Sequence, residues 1–126
     1  MSEIKIGNIC EFYPCVAIGI ITELPTKKGG KYYGVTLDGH WLDSVTPVKI
    51  TENKLEYFKQ LILEEYEQAS GNFHSAHEGY AVLKEEVDEL WDEVKNKSAS
   101  GNEMRNEAVQ VAAMALRFLM DVKVKQ

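Results

Sequence analysis

Short runs of β-forming residues, broken by turn residues, dominate the first fifty positions and predict a small antiparallel sheet or barrel. The predicted strands are Ile4–Tyr13, Val16–Glu23, Tyr32–Leu37 and Trp41–Val48. Asp38-Gly39 between the last two runs predicts a hairpin with a type I′ turn, since both central residues of that turn need positive φ.

From Thr51 onward the apolar positions recur at helical spacing, and three helices are predicted. The first follows a capping box of Asn53 with Glu56 and ends at about Gln68, and the second follows a box of Ser75 with Glu78. The second helix should cover 76–95 and the third 103–122. The polar stretch 96–102 is short, so the last two helices should be antiparallel neighbours.

These patterns predict an α+β protein: a small N-terminal antiparallel β-sheet or barrel followed by three helices, the last two forming a hairpin. The predicted division is a β module at 1–52, a connecting helix at 53–69 and the helical hairpin at 70–126. The two helices of the hairpin cannot close a four-helix bundle by themselves. The second of them, which is the third helix of the chain, is nevertheless apolar around most of its circumference. We therefore expect the hairpin to complete a bundle by oligomerisation, as a homodimer or homotetramer through the helical region.

Composition narrows the classes of function. The 126 residues carry a formal net charge of −6 and contain only two arginines, Arg105 and Arg117. Because nucleic-acid binding depends on Lys and Arg neutralising phosphates, we expect no nucleic-acid partner. The same charge would repel a polyanionic small molecule unless a bound cation reversed the local field.

Neither a membrane segment nor a cysteine-based site is expected. The longest apolar run near the start, Val16–Ile21, is too short for a membrane span or a secretory leader, so a cytoplasmic protein without a membrane partner is expected. Cys10 and Cys15 lack a second cysteine pair and a histidine at metal-ligand spacing. They are interpreted as ordinary strand cysteines.

The second predicted helix is rich in carboxylates beside an apolar stripe. The stripe consists of Tyr80, Leu83, Val87, Leu90, Trp91 and Val94. Glu86, Glu89 and Glu93 follow one border of it and are called the acidic edge. The remaining acids, Glu85, Asp88 and Asp92, should point to solvent. Like charges four residues apart each cost about 0.2–0.5 kcal/mol, which a bound cation would relieve, although an ordinary solvated face is the alternative.

The third predicted helix is apolar on most sides but carries one polar sector. This sector contains Glu107, Gln110, Arg117 and Asp121. Polar groups inside a buried helix need partners, and an antiparallel hairpin can turn the sector toward the acidic edge. Facing carboxylates with few basic partners either have raised pKa values or share a cation. Mg²⁺, or Mn²⁺, suits such oxygen ligands.

The segment Leu83–Leu90, with sequence LKEEVDEL, resembles the ExxE element of the MazG-like nucleotide pyrophosphohydrolases, of the all-α NTP pyrophosphatase superfamily. Their second element, ExxD, lies on the next helix, where Glu107 stands at a compatible distance. The resemblance covers about 73–122, and it is separate from a weaker similarity of the N-terminal region to SH3-like small barrels.

The resemblance implies a function and its residues. Members of that family bind Mg²⁺ through four acidic positions and hydrolyse a nucleoside triphosphate to the monophosphate and pyrophosphate, as dimers or tetramers. By motif position Glu86 and Glu89 would be the catalytic pair and metal ligands, and Glu107 the third ligand. Gln110 stands where the motif has Asp, so Glu93 or the more distant Asp121 would have to supply the missing carboxylate.

Three basic residues are candidates for binding substrate phosphates: Lys84, Arg105 and Arg117. For Arg117 an ion pair with Glu93 or Glu107 is an equal alternative. His74 and His77 near the start of the second helix are more typical of exposed or locally hydrogen-bonded histidines than of metal ligands.

The predicted hairpin of the β module carries a group of ring side chains, namely Tyr32, Tyr33, His40 and Trp41. Aromatic residues at strand spacing are more typical of core or cross-strand contacts than of a surface on which bases stack.

Three functions follow as hypotheses: a metal-dependent nucleotide pyrophosphohydrolase, a protein that binds or sequesters a nucleotide without turnover, and a structural oligomer. Gln110 distinguishes the pyrophosphohydrolase from the binding protein, because its side-chain amide cannot act as a base in hydrolysis. If Glu86, Glu89 and Glu107 converge on one cation-sized site, the enzyme and the nucleotide-binding protein are both favoured over the structural oligomer.

Overall fold

The computed structural model describes residues 3–13, 17–69, 72–98 and 100–122, and it shows an α+β protein. The elements are β1 (Ile9–Tyr13), β2 (Ala17–Glu23), β3 (Tyr32–Thr36), β4 (Trp41–Thr51), α1 (Lys54–Gln68), α2 (Ala76–Lys95) and α3 (Gly101–Asp121). They form two compact units, residues 1–58 and 59–126. The predictions for Cys15 and for a strand start at Val16 lie outside the described residues.

The four strands form a closed antiparallel barrel, because each pairs with the next and β4 returns to pair with β1. Its core contains Cys10, Phe12, Ile21 and Val45. The Phe12 ring lies directly over Gly34, where an added Cβ would stand 2.2 Å from Phe12 Cζ. A side chain at position 34 would therefore displace the core aromatic ring.

Three details of the barrel differ from the predictions. β1 begins at Ile9 rather than Ile4, because Gly7 takes φ 94° and Asn8 Oδ1 accepts a hydrogen bond from Lys5 N at 2.8 Å, which makes a turn. β4 continues to Thr51 instead of ending at Val48. The hairpin lies where predicted, but its turn is not type I′: only Gly39 of the Asp-Gly pair has positive φ.

The helix starts follow their capping residues. Asn53 Oδ1 accepts from Glu56 N at 3.0 Å before α1, and Ser75 Oγ accepts from Glu78 N at 3.1 Å before α2. The Glu78 carboxylate accepts from His74 N rather than from Ser75 N, so the second capping box is shifted by one residue. α3 begins two residues earlier than predicted, because Ser100 and Glu103 form a complete capping box.

α2 and α3 pack as the predicted hairpin. Gly79 leaves room for two aromatic rings beside α2, because an added Cβ would lie 2.8 Å from Phe118 Cδ2 and 2.9 Å from Phe73 Cδ2. Val109, Ala113 and Met114 are the buried side chains of α3. Among the described residues no helix has both the length and the apolar character needed to cross a membrane.

Candidate metal centre

Three carboxylates from the two hairpin helices meet in one place. Glu86 and Glu89 lie about one turn apart on α2, and Glu107 lies on the facing turn of α3. One carboxylate oxygen from each of the three lies within 4.8 Å of the other two. These residues, called the acidic trio, are the first pair and the third ligand expected from the sequence.

The trio is electrostatically unfavourable when it is fully ionised. Burial, followed by the charge of Glu89, raises the pKa of Glu86 to about 7. Burial, followed by the charges of Glu89 and Glu93, also raises the pKa of Glu107. Like charges at this separation disfavour simultaneous ionisation, so the site favours either a proton or a cation among these oxygens.

Two buried oxygens at the site lack a hydrogen-bond partner within the described residues: Glu93 Oε2 and Glu107 Oε2. A buried acceptor without a donor costs about 1–3 kcal/mol. Glu93 follows Glu89 by one turn of α2, and its charge raises the pKa of Glu107. Its carboxylate therefore interacts electrostatically with Glu107, although among the described residues the oxygens that lie within 4.8 Å of one another belong to the trio alone.

Gln110, which the resemblance would align with an Asp, is half-buried one turn after Glu107. Its amide oxygen is neutral and is a weaker ligand than a carboxylate. Asp121 is not a replacement, because it is fourteen residues and about 21 Å further along the helix than Glu107. Its Oδ2 lies 3.6 Å from Arg117 Nε.

The three expected phosphate-binding residues have different surroundings. Lys84 is exposed, with Nζ 2.9 Å from Asp88 Oδ2. Arg105 Nη1 donates to Asn102 Oδ1 at 3.0 Å. The Arg117 guanidinium is largely buried and lies 4.5 Å over the Phe73 ring, beside a cleft of about 270 Å³. The Phe73 contact was not expected, because nothing local in the sequence links positions 73 and 117.

The acids predicted to point to solvent do so: Glu85, Asp88 and Asp92 are all exposed. His74 and His77 are exposed as well.

In the barrel Tyr32 packs against the core, whereas Trp41 lies opposite Val35 on the neighbouring strand and is exposed. A cavity of about 720 Å³ lies in the barrel unit beside the β2–β3 turn, and no member of the trio lines it.

Family models, curated proteins and solved structures were each compared with this chain, and none of the three comparisons gave a match.

Proposed function

We propose that the chain is a divalent-metal-dependent nucleotide pyrophosphohydrolase that converts an NTP or dNTP to the monophosphate and pyrophosphate. The observation that carries the proposal is the meeting of Glu86, Glu89 and Glu107 within 4.8 Å. The supporting features are the raised pKa values of Glu86 and Glu107 and the unsatisfied oxygens beside them.

The donor set fits Mg²⁺ or Mn²⁺. All the donors are hard oxygens, and the ligand oxygens of one octahedral Mg²⁺ are at most about 4.2 Å apart. The three oxygens lie within 4.8 Å of one another, and side-chain rotation of Glu89, the exposed member of the trio, would bring them to that separation. When bound, the ion would neutralise substrate phosphates and polarise an attacking water. Glu86, Glu89 and Glu107 would hold it, with Glu93 and Gln110 as neighbouring candidates.

The carboxylates would also handle the proton of the reaction. Water oxygen bonds to the α-phosphorus, the bond from that phosphorus to the α,β-bridging oxygen breaks, and pyrophosphate leaves. The water proton needs an acceptor, and a carboxylate oxygen of Glu86 or Glu89 that is not bound to the ion would take it. Arg117, Arg105 and Lys84 are the candidates for contacting phosphate oxygens.

A screen of purified protein against standard and modified NTPs and dNTPs, with Mg²⁺ or Mn²⁺, tests the proposal. We expect pyrophosphate release from at least one nucleotide, and we expect Glu89→Gln to abolish it. Asp92→Asn is the matched control, because Asp92 is an exposed acid of the same helix that pairs with Lys95, and its loss should leave turnover unchanged. Turnover that survives Glu89→Gln would contradict the assignment of the site.

Gln110 favours a second function, nucleotide binding or sequestration without turnover. Binding needs fewer correctly charged ligands than catalysis, and an amide cannot take the role of a base. Under this alternative, calorimetry shows metal-dependent nucleotide binding while no pyrophosphate is released.

Gln110→Asp distinguishes the two functions. It would supply the motif carboxylate and should create or increase turnover if only that ligand is lacking. If the wild type neither binds nor hydrolyses any nucleotide and Glu86→Ala simply raises thermal stability, the trio is a site of repulsion in a structural oligomer.

A further inference from the structure

Half of the lysines of the barrel unit lie in one loop. Residues 1–58 contain six Lys and seven Asp or Glu, whereas residues 59–126 contain eight Lys or Arg and thirteen Asp or Glu. Lys27, Lys28 and Lys31 all belong to the segment 24–31 between β2 and β3, which is called the lysine loop. Because no acidic residue occurs between Glu23 and Asp38, the loop is a concentrated positive charge on an otherwise balanced unit.

The three lysines are exposed, and in the part of the chain that the structure describes none of them pairs with an acid. Like charges held close together repel each other, and a bound anion would neutralise them. The lysine loop therefore favours a negatively charged ligand, although the net charge of the whole chain is −6.

Two glycines fix the shape of the lysine loop. Gly30 N donates to Lys27 O at 2.9 Å and Gly29 takes φ 77°, which together make a type II turn with Lys28 and Gly29 at its centre. An added Cβ at Gly30 would lie 2.9 Å from Lys27 O. The turn therefore holds the backbone of Lys27 and Lys28 in one conformation, which reduces the entropy lost when a ligand binds.

The cavity of about 720 Å³ in the barrel unit lies between the lysine loop and the N-terminal segment. Lys27 and Lys28 contribute its basic lining, and its apolar lining consists of Ile4, Leu24, Pro25 and Tyr32. Ile4 and Tyr32 also pack against the barrel core, which anchors this part of the wall. A cavity with both kinds of lining fits a ligand that has an apolar body and an anionic group.

We propose that this cavity is a second ligand site, which binds a small phosphorylated molecule with an aromatic or aliphatic body. Its volume lies within the range of about 300–1,000 Å³ that is typical of small-molecule sites. A phosphate group carries a charge of about −1.5 to −2 and three acceptor oxygens, so that it can contact two lysines at once. This inference does not depend on the proposed function, since no member of the acidic trio lines the cavity.

Two larger kinds of partner fit the site less well. The four described strands form a closed barrel, so they offer no free edge to which an acidic peptide could add a strand. A nucleic-acid strand is bound through a longer row of basic residues than this loop provides, and Glu3 lines the same cavity.

Calorimetric titration with ATP and with tripolyphosphate, both in EDTA, tests the proposal. EDTA removes the divalent metal on which the acidic trio would depend. The two probes are polyphosphates of similar charge, but only ATP has an aromatic body. We expect ATP to bind at least about tenfold more tightly than tripolyphosphate, because its body also contacts the apolar lining.

Three variants assign the binding to the lysine loop. Lys27→Gln combined with Lys28→Gln should weaken both probes by at least about tenfold, whereas Leu24→Ser should weaken ATP alone. Lys49→Gln is the matched control, because Lys49 is a lysine of the same unit whose Nζ lies 3.9 Å from Glu11 Oε1, outside the cavity lining. Each variant should keep the circular dichroism spectrum of the wild type.

Glu89→Gln separates this site from the proposed function, because it should abolish metal-dependent turnover and leave metal-free binding of ATP unchanged. A wild type that does not bind ATP in EDTA, or a lysine double variant that binds it as tightly, would overturn the proposal. So would an equal loss in Lys49→Gln or an equal affinity for the two probes. Tighter binding of a single-stranded oligothymidylate than of ATP would assign the loop to nucleic acid instead.

Discussion

The acidic trio places an unfavourable charge arrangement inside the hairpin. Burial and mutual repulsion raise the pKa values of Glu86 and Glu107, and two buried carboxylate oxygens at the site have no donor among the described residues. Such an arrangement lowers the stability of the fold as long as no ligand is bound. The trio should therefore respond to neutralisation, to pH and to metal.

Glu107→Gln should stabilise the hairpin without metal and should remove the response to metal. It eliminates one buried charge while keeping the side-chain size, and we expect a gain of up to about 1 kcal/mol. Mg²⁺ at about 100 times its dissociation constant should stabilise the wild type by about 2.7 kcal/mol but not the variant. Thermal unfolding with and without MgCl₂ measures both, with Asp92→Asn as the control. A destabilised variant that still responds to Mg²⁺ would count against the site.

Stability without metal should fall as pH rises through neutrality. The pKa of Glu86 is about 7 in the folded chain against an ordinary value of 4.5, so the folded state binds the proton more tightly. Protonation of Glu86 therefore makes its full contribution to the free energy of unfolding below about pH 4.5. This contribution is lost as pH rises through 7. Urea unfolding at pH 5.5 and 8.0 should show a gain from Glu86→Gln that grows with pH. Equal gains at both pH values would show that Glu86 does not titrate in this range.

At the scale of elements, the hairpin depends on a glycine at the crossing of its helices. Gly79 is buried, and Phe118 and Phe73 occupy the space where a Cβ would lie. The same crossing fixes the alignment of α2 with α3. Gly79 lies opposite Phe118. Because the helices are antiparallel, about ten residues forward along α2 from Gly79 and about ten back along α3 from Phe118 bring Glu89 to the level of Glu107.

Gly79→Ala should destabilise the hairpin, although alanine is the better helix former. In an open helix this change would stabilise by about 1 kcal/mol, but overpacking costs about 1–3 kcal/mol, so we expect a net loss of up to about 2 kcal/mol. Phe118→Leu in the double variant should recover part of the loss by making room. Chemical denaturation of the two single variants and the double variant measures the coupling. A simple gain in stability from Gly79→Ala would show that the crossing is looser than described.

At the scale of the whole molecule, the candidate chemistry belongs to one of two compact units. The barrel has its own closed hydrogen-bonding pattern and its own core, and the acidic trio lies entirely between α2 and α3. Effects of metal should therefore be confined to the helical unit.

Hydrogen exchange should show this division. We expect Mg²⁺ to slow amide exchange in α2 and α3 and to leave β1–β4 unchanged, because a ligand protects the segments whose opening would release it. Mass spectrometry of exchanged peptides resolves the two units, and Glu89→Gln should abolish the effect. Slower exchange throughout the barrel, or in the barrel alone, would place the metal elsewhere.

The sequence alone determined what depends on local spacing. It placed α2 at its observed bounds, put a hairpin at Asp38-Gly39 and predicted a β unit followed by three helices. Helical and strand periodicity, with capping side chains, are properties of neighbouring residues, so they can be read along the chain. The same periodicity placed Glu86, Glu89 and Glu93 along one edge of α2 and assigned Glu85, Asp88 and Asp92 to solvent. The choice of Glu86, Glu89 and Glu107 as a ligand set came from the motif resemblance.

The tertiary structure decided what depends on contacts between distant residues. Only the helix crossing brings Glu107 to Glu89 and places Phe73 against Arg117. It also leaves two carboxylate oxygens without a donor in the part of the chain that the structure describes. The same crossing leaves four of the six side chains of the α2 apolar stripe exposed, because periodicity shows that a face is apolar but not which neighbour covers it. Burial and repulsion, which set the pKa of Glu86, arise only once the chain is folded.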